Sequence, residues 1–297
     1  MSSGTRSSAR GFGRRGIAAL FAAAALAAFC WTAVPAPAAP VAGKSVIGGR
    51  LASISEFPYA VAVLKDGGLH CSGAVISPTR VLTAGHCAKP SASRLSVLTG
   101  TDRARASTGQ VLGVAGAIQH PDFSEDRKRG VIHNDVAVLA LAGSTAAPAI
   151  ALPPPGQDPI LTAAGGSLTL AAFGERSPTL LQKSRIGRLA AAELAVRGNC
   201  AGLVPRFSPE TMICAQGRKI GVARSGRKRA GVHRSGCFGD SGGPLVGQTG
   251  TGPALFGVTS GGGASPKSFF FVLCGLKRKP GLYTRVATYV PWIQSNL

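Results

Sequence analysis

The six residues Gly239-Asp240-Ser241-Gly242-Gly243-Pro244 set a serine between glycines. Small neighbours permit a tight turn and let a carbonyl group come close to the serine hydroxyl. Gly-x-Ser-x-Gly surrounds the nucleophile in two unrelated folds, and a Gly-rich turn with a spectator serine is the plain alternative. Chain order separates these readings. In the α/β-hydrolase arrangement an acid and a histidine follow the serine. From Gly242 to Leu297 there is no Asp, Glu or His, so any partners of Ser241 lie upstream.

Two upstream stretches fit: Leu82-Thr83-Ala84-Gly85-His86-Cys87 and Asn134-Asp135-Val136-Ala137-Val138-Leu139-Ala140-Leu141. The subtilisin order, with Asp66 ahead of His86, would require long helices that the sequence lacks. His, then Asp, then Ser is the order of the chymotrypsin-type triad. On these motifs the chain resembles the trypsin/chymotrypsin-like serine protease family from about Val46 to Leu297. Val46-Ile47-Gly48-Gly49 matches the start of that domain. Pro280-Gly281-Leu282-Tyr283-Thr284-Arg285-Val286 matches a segment near its end, and Tyr289-Val290-Pro291-Trp292-Ile293 resembles its closing helix.

The resemblance implies an all-β fold: two antiparallel six-stranded β-barrels with the active site in the cleft between them, plus a C-terminal α-helix. It implies Ser241 as nucleophile, His86 as the base that takes its proton, and Asp135 as the group that orients the imidazole. Asp122 and Asp126 compete with Asp135, but they sit in a polar stretch, whereas Asp135 opens an apolar strand. The N–H groups of Gly239 and Ser241 would form the oxyanion hole, and Ser260 would support the aspartate. A freed Val46 amino group would pair with Asp240 as the zymogen ion pair. Ser235 falls at the floor of the specificity pocket, with Gly262 and Gly281 at its walls. A neutral floor predicts a preference for large apolar side chains. His70, His120, His133 and His233 read as structural or surface residues.

The chain has seven cysteines. Six of them allow fifteen pairings, and the family pattern selects Cys71–Cys87, Cys200–Cys214 and Cys237–Cys274. The seventh, Cys30, lies in an N-terminal segment that reads as an export signal: Arg14-Arg15, an apolar run over residues 17–34, then Ala36-Pro37-Ala38 as a small-x-small cleavage site. The expected organisation is a signal peptide at 1–38, a short propeptide at 39–45 and a protease domain at 46–297. Localisation is then secreted, with an uncleaved membrane anchor as the alternative.

Strand-sized apolar runs recur at residues 59–64, 73–77, 95–99, 111–117 and 136–141. A Pro-rich connector spans 148–159, and a second set follows at 167–173, 185–191, 211–215, 244–246, 254–260 and 281–286. Two insertions depart from the family. Between Cys214 and Cys237 stand Arg218, Lys219, Arg224, Arg227, Lys228, Arg229 and Arg234 with no acid, which predicts a solvated, mobile loop. Between Ser260 and Cys274 come Gly261-Gly262-Gly263 and Phe269-Phe270-Phe271. Gly85 replaces the family's usual alanine, and Gly261 its cleft tryptophan.

The net charge is +21, from 33 Lys and Arg against 12 Asp and Glu. That balance suggests an anionic partner or surface, with simple solubility as the bland alternative. Expected partners are protein or peptide substrates and a polyanion held by the insertion that begins at Arg218 and ends at Arg234. No sequence-specific nucleic acid is expected, no stable membrane span after signal removal, and a monomer. No cysteine and histidine spacing reads as a zinc site, and the calcium-loop position carries Arg103 and Arg105, so no metal or cofactor is expected. The runner-up function is a basic, anion-binding protease homologue that acts by binding.

Overall fold

The computed structural model describes residues 46–105, 109–126, 131–174, 187–204, 206–225, 228–262, 274–276 and 279–297. The expected signal and propeptide, the Phe269–Phe271 run and residues 277–278 lie outside the described residues.

The first half contains β1 (Arg50–Leu51), β2 (Ala60–Lys65), β3 (Gly68–Ser77), β4 (Arg80–Thr83), β5 (Leu95–Thr99), β6 (Gln110–Gln119), β7 (Ser124–Asp126), β8 (Val131–His133) and β9 (Ala137–Leu141). Antiparallel strands in the order β2-β3-β4-β9-β6-β5 close into a barrel. The β2–β3 turn follows from its residues. Lys65 pairs with Gly68, leaving Asp66-Gly67 as a two-residue loop. Both have positive φ, 50° and 77°, the backbone that joins right-twisted antiparallel strands most easily. Val61, Val63, Val97 and Leu139 fill the barrel and are wholly buried.

The second half runs α1 (Asp158–Leu161), β10 (Ser167–Ala172), β11 (Ala190–Val196), β12 (Met212–Gln216), β13 (Lys219–Ser225), β14 (Lys228–His233), β15 (Pro244–Thr249), β16 (Gly252–Gly262), β17 (Gly281–Arg285) and α2 (Val286–Gln294). The order β11-β10-β15-β16-β17-β12 is closed by a β11–β12 pairing, which makes a second six-stranded barrel. Leu170, Ile213, Leu245, Phe256 and Tyr283 fill it. β1 crosses over to pair with β11, Arg50 opposite Ala191. The N-terminal segment therefore lies on the second barrel. Helix α2 returns to the first: Tyr289 and Ile293 join its core, and the Tyr289 hydroxyl donates to Asn134 Oδ1 at 2.8 Å.

Two differences from the sequence reading stand out. Of the strand expected at 185–191, residues 185–186 lie outside the described residues, and among the described ones the strand begins at Ala190. Its Ala190-Ala191-Ala192-Glu193-Leu194 run lacks β-branched residues, so its alternation is weak in composition and shows in burial only from Ala192 onward. The basic insertion is not a bare loop: β13 and β14 form a two-stranded hairpin. Among the described residues, no helix is long and apolar enough to cross a membrane.

Candidate active site

Ser241 sits on a turn held from both barrels. Its carbonyl accepts the Ser72 N–H from β3 at 2.7 Å, and the Gly242 N–H donates to Thr259 O on β16 at 2.7 Å. Ser72 is buried and also donates its hydroxyl to Gly239 O at 2.9 Å, while accepting the Phe173 N–H at 3.1 Å. Gly239 and Gly242 have φ of +81° and +80°, a region open to glycine. A side chain at Gly242 would also clash outright with Thr83 Oγ1 and Ser72 O. The glycines of the motif are thus demanded by a turn wedged between barrels. Among the described residues, neither the Gly239 nor the Ser241 N–H has an acceptor.

His86 lies in the short 3₁₀ turn Gly85–Ala88 that follows β4. Its backbone N–H donates to Asp135 Oδ1 at 2.8 Å, and its Nδ1 lies 2.9 Å from Asp135 Oδ2. An ionised carboxylate only accepts, so Nδ1 carries the proton and Nε2 is left as the basic nitrogen. Asp135 is 1% exposed. Ser260 Oγ donates to its Oδ2 at 2.6 Å, and Thr284 Oγ1 donates to its backbone carbonyl at 2.8 Å. A buried charge is tolerable when several donors meet it. Asp122 holds a different position: its carbonyl accepts from Asn134 Nδ2 at 2.8 Å. The Cys71–Cys87 disulfide ties the histidine turn to β3. Those sulfurs approach His86 closely, but their bond to each other removes them as metal donors.

Gly85 has a steric reason. A β-carbon there would lie 2.6 Å from Phe123 Cδ2 and 3.2 Å from Asp135 Oδ1. Phe123, which carried no signal in the sequence, fills that space. Two of the other histidines have structural partners at their rings. His120 meets Tyr289 edge-on and Trp292 at a tilt, at centroid distances of 5.1 and 5.0 Å. His70 pairs with Cys87 O at 3.2 Å. Burial lowers the pKa of both rings.

Asp240 is fully buried. Its Oδ1 accepts the Gly174 N–H at 2.9 Å and its Oδ2 the Cys237 N–H at 2.8 Å. Val46 is likewise 0% exposed. Ile47 and Ser235 exchange backbone hydrogen bonds, 3.0 Å one way and 3.3 Å the other. Ser235 is 1% exposed and its Oγ has no partner among the described residues, nor has the Tyr283 hydroxyl. A β-carbon on Gly281 would come 2.8 Å from that Tyr283 oxygen, whereas on Gly261 it would meet open space. On Gly262 it would press on Pro280 O at 2.5 Å and Leu282 N at 2.8 Å, so backbone packing alone requires a glycine there. Cys237–Cys274 and Cys200–Cys214 complete the disulfides, with Cα separations of 5.6 and 6.5 Å.

Two closed β-barrels, a carboxylate-held imidazole and a serine on a glycine turn define the two-barrel class of serine hydrolase. Residues 46–293 match the trypsin family, and the chain belongs to that family. Kallikrein-11 of Mus musculus is 30% identical over 80% of this chain and 76% of its own length. Anionic trypsin of Canis lupus familiaris is 29% identical over 85% and 89%. Human serine protease 56 is 31% identical over 85% of this chain, which spans only 38% of that longer protein. Among solved structures, neuropsin, a serine protease expressed in the limbic system of mouse brain, superposes with a TM-score of 0.64 at 25% identity. That match covers 84% of this chain and 99% of neuropsin. The protein is a trypsin-like serine endopeptidase.

Proposed function

We propose that His86, Asp135 and Ser241 are the catalytic triad of an exported endopeptidase made as a zymogen. The observation that carries this reading is the buried Asp135 carboxylate, which takes two bonds from His86 and one from Ser260. With Nδ1 committed to Asp135, His86 Nε2 accepts the Ser241 proton as Oγ attacks the scissile carbonyl. The imidazolium then gives that proton to the leaving amine. Water repeats the cycle on the acyl-enzyme and restores Ser241. The Gly239 and Ser241 N–H groups stabilise the oxyanion, each worth about 3 kcal/mol in the transition state.

Cleavage of the 45–46 bond frees the Val46 amino group to pair with Asp240; the burial of both residues supports this. Residues 1–38 direct export, 39–45 are the propeptide, 46–297 the protease domain, and the mature protein acts as a monomer. Ser235 gives the pocket a neutral floor, so an Arg or Lys side chain entering it would lose water without gaining a counter-charge. Large apolar residues are preferred instead, with Gly281 keeping the pocket deep. The seven cations of the 218–234 insertion attract polyanions or acid-flanked substrates.

Fluorogenic peptide libraries on protein beginning at Val46 test the reading. Phe or Leu should exceed Arg at the cleaved position in kcat/KM, and a sulfonyl fluoride should label Ser241 alone. Full peptidase activity in Ser241→Ala would end the triad assignment; an Arg preference would end the pocket assignment.

A further inference from the structure

Between Gly217 and Ser235 the chain leaves the second barrel and returns as the β13–β14 hairpin. Its base is firmly tied. Gly217 N–H donates to Arg234 O at 2.9 Å, Arg234 N–H to Arg218 O at 3.1 Å, and His233 N–H to Gly275 O at 2.7 Å. Val232 is buried in a small cluster with Ile47, Cys274 and Cys237. Ile220 lies directly over Gly48: a β-carbon on that glycine would strike the Ile220 side chain and come 3.2 Å from Arg234 Cγ. The hairpin thus packs on the N-terminal segment beside Ile47, whose backbone in turn pairs with Ser235. An insertion with an apolar foot on the chain's own activation segment is more than a solubility tail.

The rest of the hairpin is held against repulsion. The register sets Arg224 opposite Arg229. Like charges directly opposite in an antiparallel pair are destabilising, and an isolated two-stranded hairpin is marginal in water. β13 stands out from the body, with Ile220 42% and Val222 47% exposed. Residues 218–234 contain no acid, so neutralisation has to come from outside. They also contain no Phe, Tyr, Trp, Asn or Gln. Only His233 and the arginines could stack on bases, and no amide is present to read adenine edges. A polymer recognised by charge alone, along an extended ribbon, is what this composition fits.

We propose that a linear sulfated polysaccharide bound along β13–β14 tightens the seating of residues 46–48, which makes the inserted hairpin a handle on the active form. Neutralised, the two strands hold Ile220 and Val232 more firmly on Gly48 and Ile47. The proposal rests on the reading that the freed Val46 amine pairs with Asp240. Coupling between two sites is reciprocal. A polysaccharide that favours the seated N-terminus must bind the seated form more tightly. Charge alone predicts the opposite, because the precursor retains Lys44 and the mature protein does not.

The test compares mature Ser241→Ala protein beginning at Val46 with the uncleaved Ser241→Ala precursor that retains residues 39–45. The probe is a heparin fragment, and the readouts are its Kd by calorimetry and the rate at which cyanate carbamylates the Val46 amine. The mature form should bind roughly fivefold more tightly, and saturating heparin should slow carbamylation by about the same factor. Ile220→Ser, at an exposed position, should bring both ratios toward one while still binding heparin. A triple Lys219→Gln, Lys228→Gln, Arg229→Gln variant should lose most of the binding. Equal or weaker binding by the mature form overturns the proposal. So does a protected amine whose carbamylation heparin does not change, or a mixed-sequence DNA duplex that acts where heparin does not. An amine that reacts at a free-amine rate without heparin instead locates the failure in the Val46–Asp240 pairing, and the handle falls with it.

Discussion

Gly85 and Phe123 form a pair that no sequence motif announces. The glycine stands where relatives usually carry alanine, and the structure gives the reason: a methyl group would press on the Phe123 ring and approach Asp135 Oδ1. The Phe123 backbone N–H donates to His120 O at 2.9 Å, and the Lys89 ammonium lies 5.6 Å from the ring centroid. Gly85→Ala should therefore cost about 1–3 kcal/mol by overpacking, and lower kcat/KM because the methyl, wedged by the ring, crowds the Asp135 oxygen that accepts the His86 N–H. Adding Phe123→Ala should restore part of both losses. A double-mutant cycle from denaturant unfolding decides it: strictly additive effects would refute the contact as cause. At this scale the contact between His86 and Asp135 was legible because each sits in a local motif. Ser72, Thr284 and Phe123 were not. Each is a common residue type whose partner lies far along the chain: Ser72 reaches Gly239 and Thr284 reaches Asp135.

Elements were legible where apolar alternation was strong and hidden where it was not. The 95–99 strand stands as read, because Leu95-Ser96-Val97-Leu98-Thr99 is β-rich and bounded by turns. The alanine-rich β11 was misplaced, since alanine has little strand preference and only its neighbours give it a face to bury. The basic hairpin was read as loop because charge dominated the composition. Its Ile220, Val222 and Val232 were too sparse to register as strands until their partners Gly48 and Ile47 were in place. Whatever binds it, the hairpin makes a prediction about rate. Attraction of an acid-flanked peptide is screened beyond a Debye length of about 8 Å at physiological salt. Its kcat/KM should fall several-fold from low to high salt, with a neutral peptide unaffected. Neutralising Arg227, Lys228 and Arg229 should flatten the curve. Superimposable salt curves for wild type and variant would leave the hairpin no part in substrate encounter.

At the scale of the whole molecule, tolerance of high pH follows from the burial of its phenols, one of which, Tyr289, ties helix α2 to Asn134 of the first half. The chain has three tyrosines, Tyr59, Tyr283 and Tyr289. Burial pushes Tyr59 and Tyr289 each up to about 12, and Tyr283 is raised as well. Tyr289 belongs to α2, the helix that returns from the second barrel to the first. A phenol whose folded pKa is raised stabilises the fold below its unfolded value near 10, and that contribution is lost as pH climbs toward the folded value. Little phenolate should therefore appear at pH 10 in the folded protein. Its absorbance should rise together with loss of near-UV circular dichroism above that pH. A tyrosine that titrates near 10 with the fold intact would contradict the burial of that ring.

The N-terminus spans the same scale, because the segment that begins the domain packs on the second barrel while Ser72 of the first holds the serine turn. Val46 and Asp240 are both fully buried, and Ile47 is fixed by its paired bonds to Ser235. The register is thus set from the Ile47 side. With Ile47 fixed, an amine on Val46 is a single residue from the bridge, whereas one on Ser45 would have to be accommodated beyond a side chain that is already enclosed. On the proposed pairing, cutting after Lys44, the obvious basic site, leaves one residue too many. Removing the partner from a buried charge costs about 3–5 kcal/mol, and at roughly 1.4 kcal/mol per decade that is a loss of about 10²–10⁴-fold in properly formed oxyanion turn. Protein beginning at Ser45 should show kcat/KM lower than protein beginning at Val46 by about that factor, with an intact fold. Active-site titration together with N-terminal sequencing separates the two forms. Active material carrying Ser45 as its first residue would show that the pairing does not govern activity in this chain.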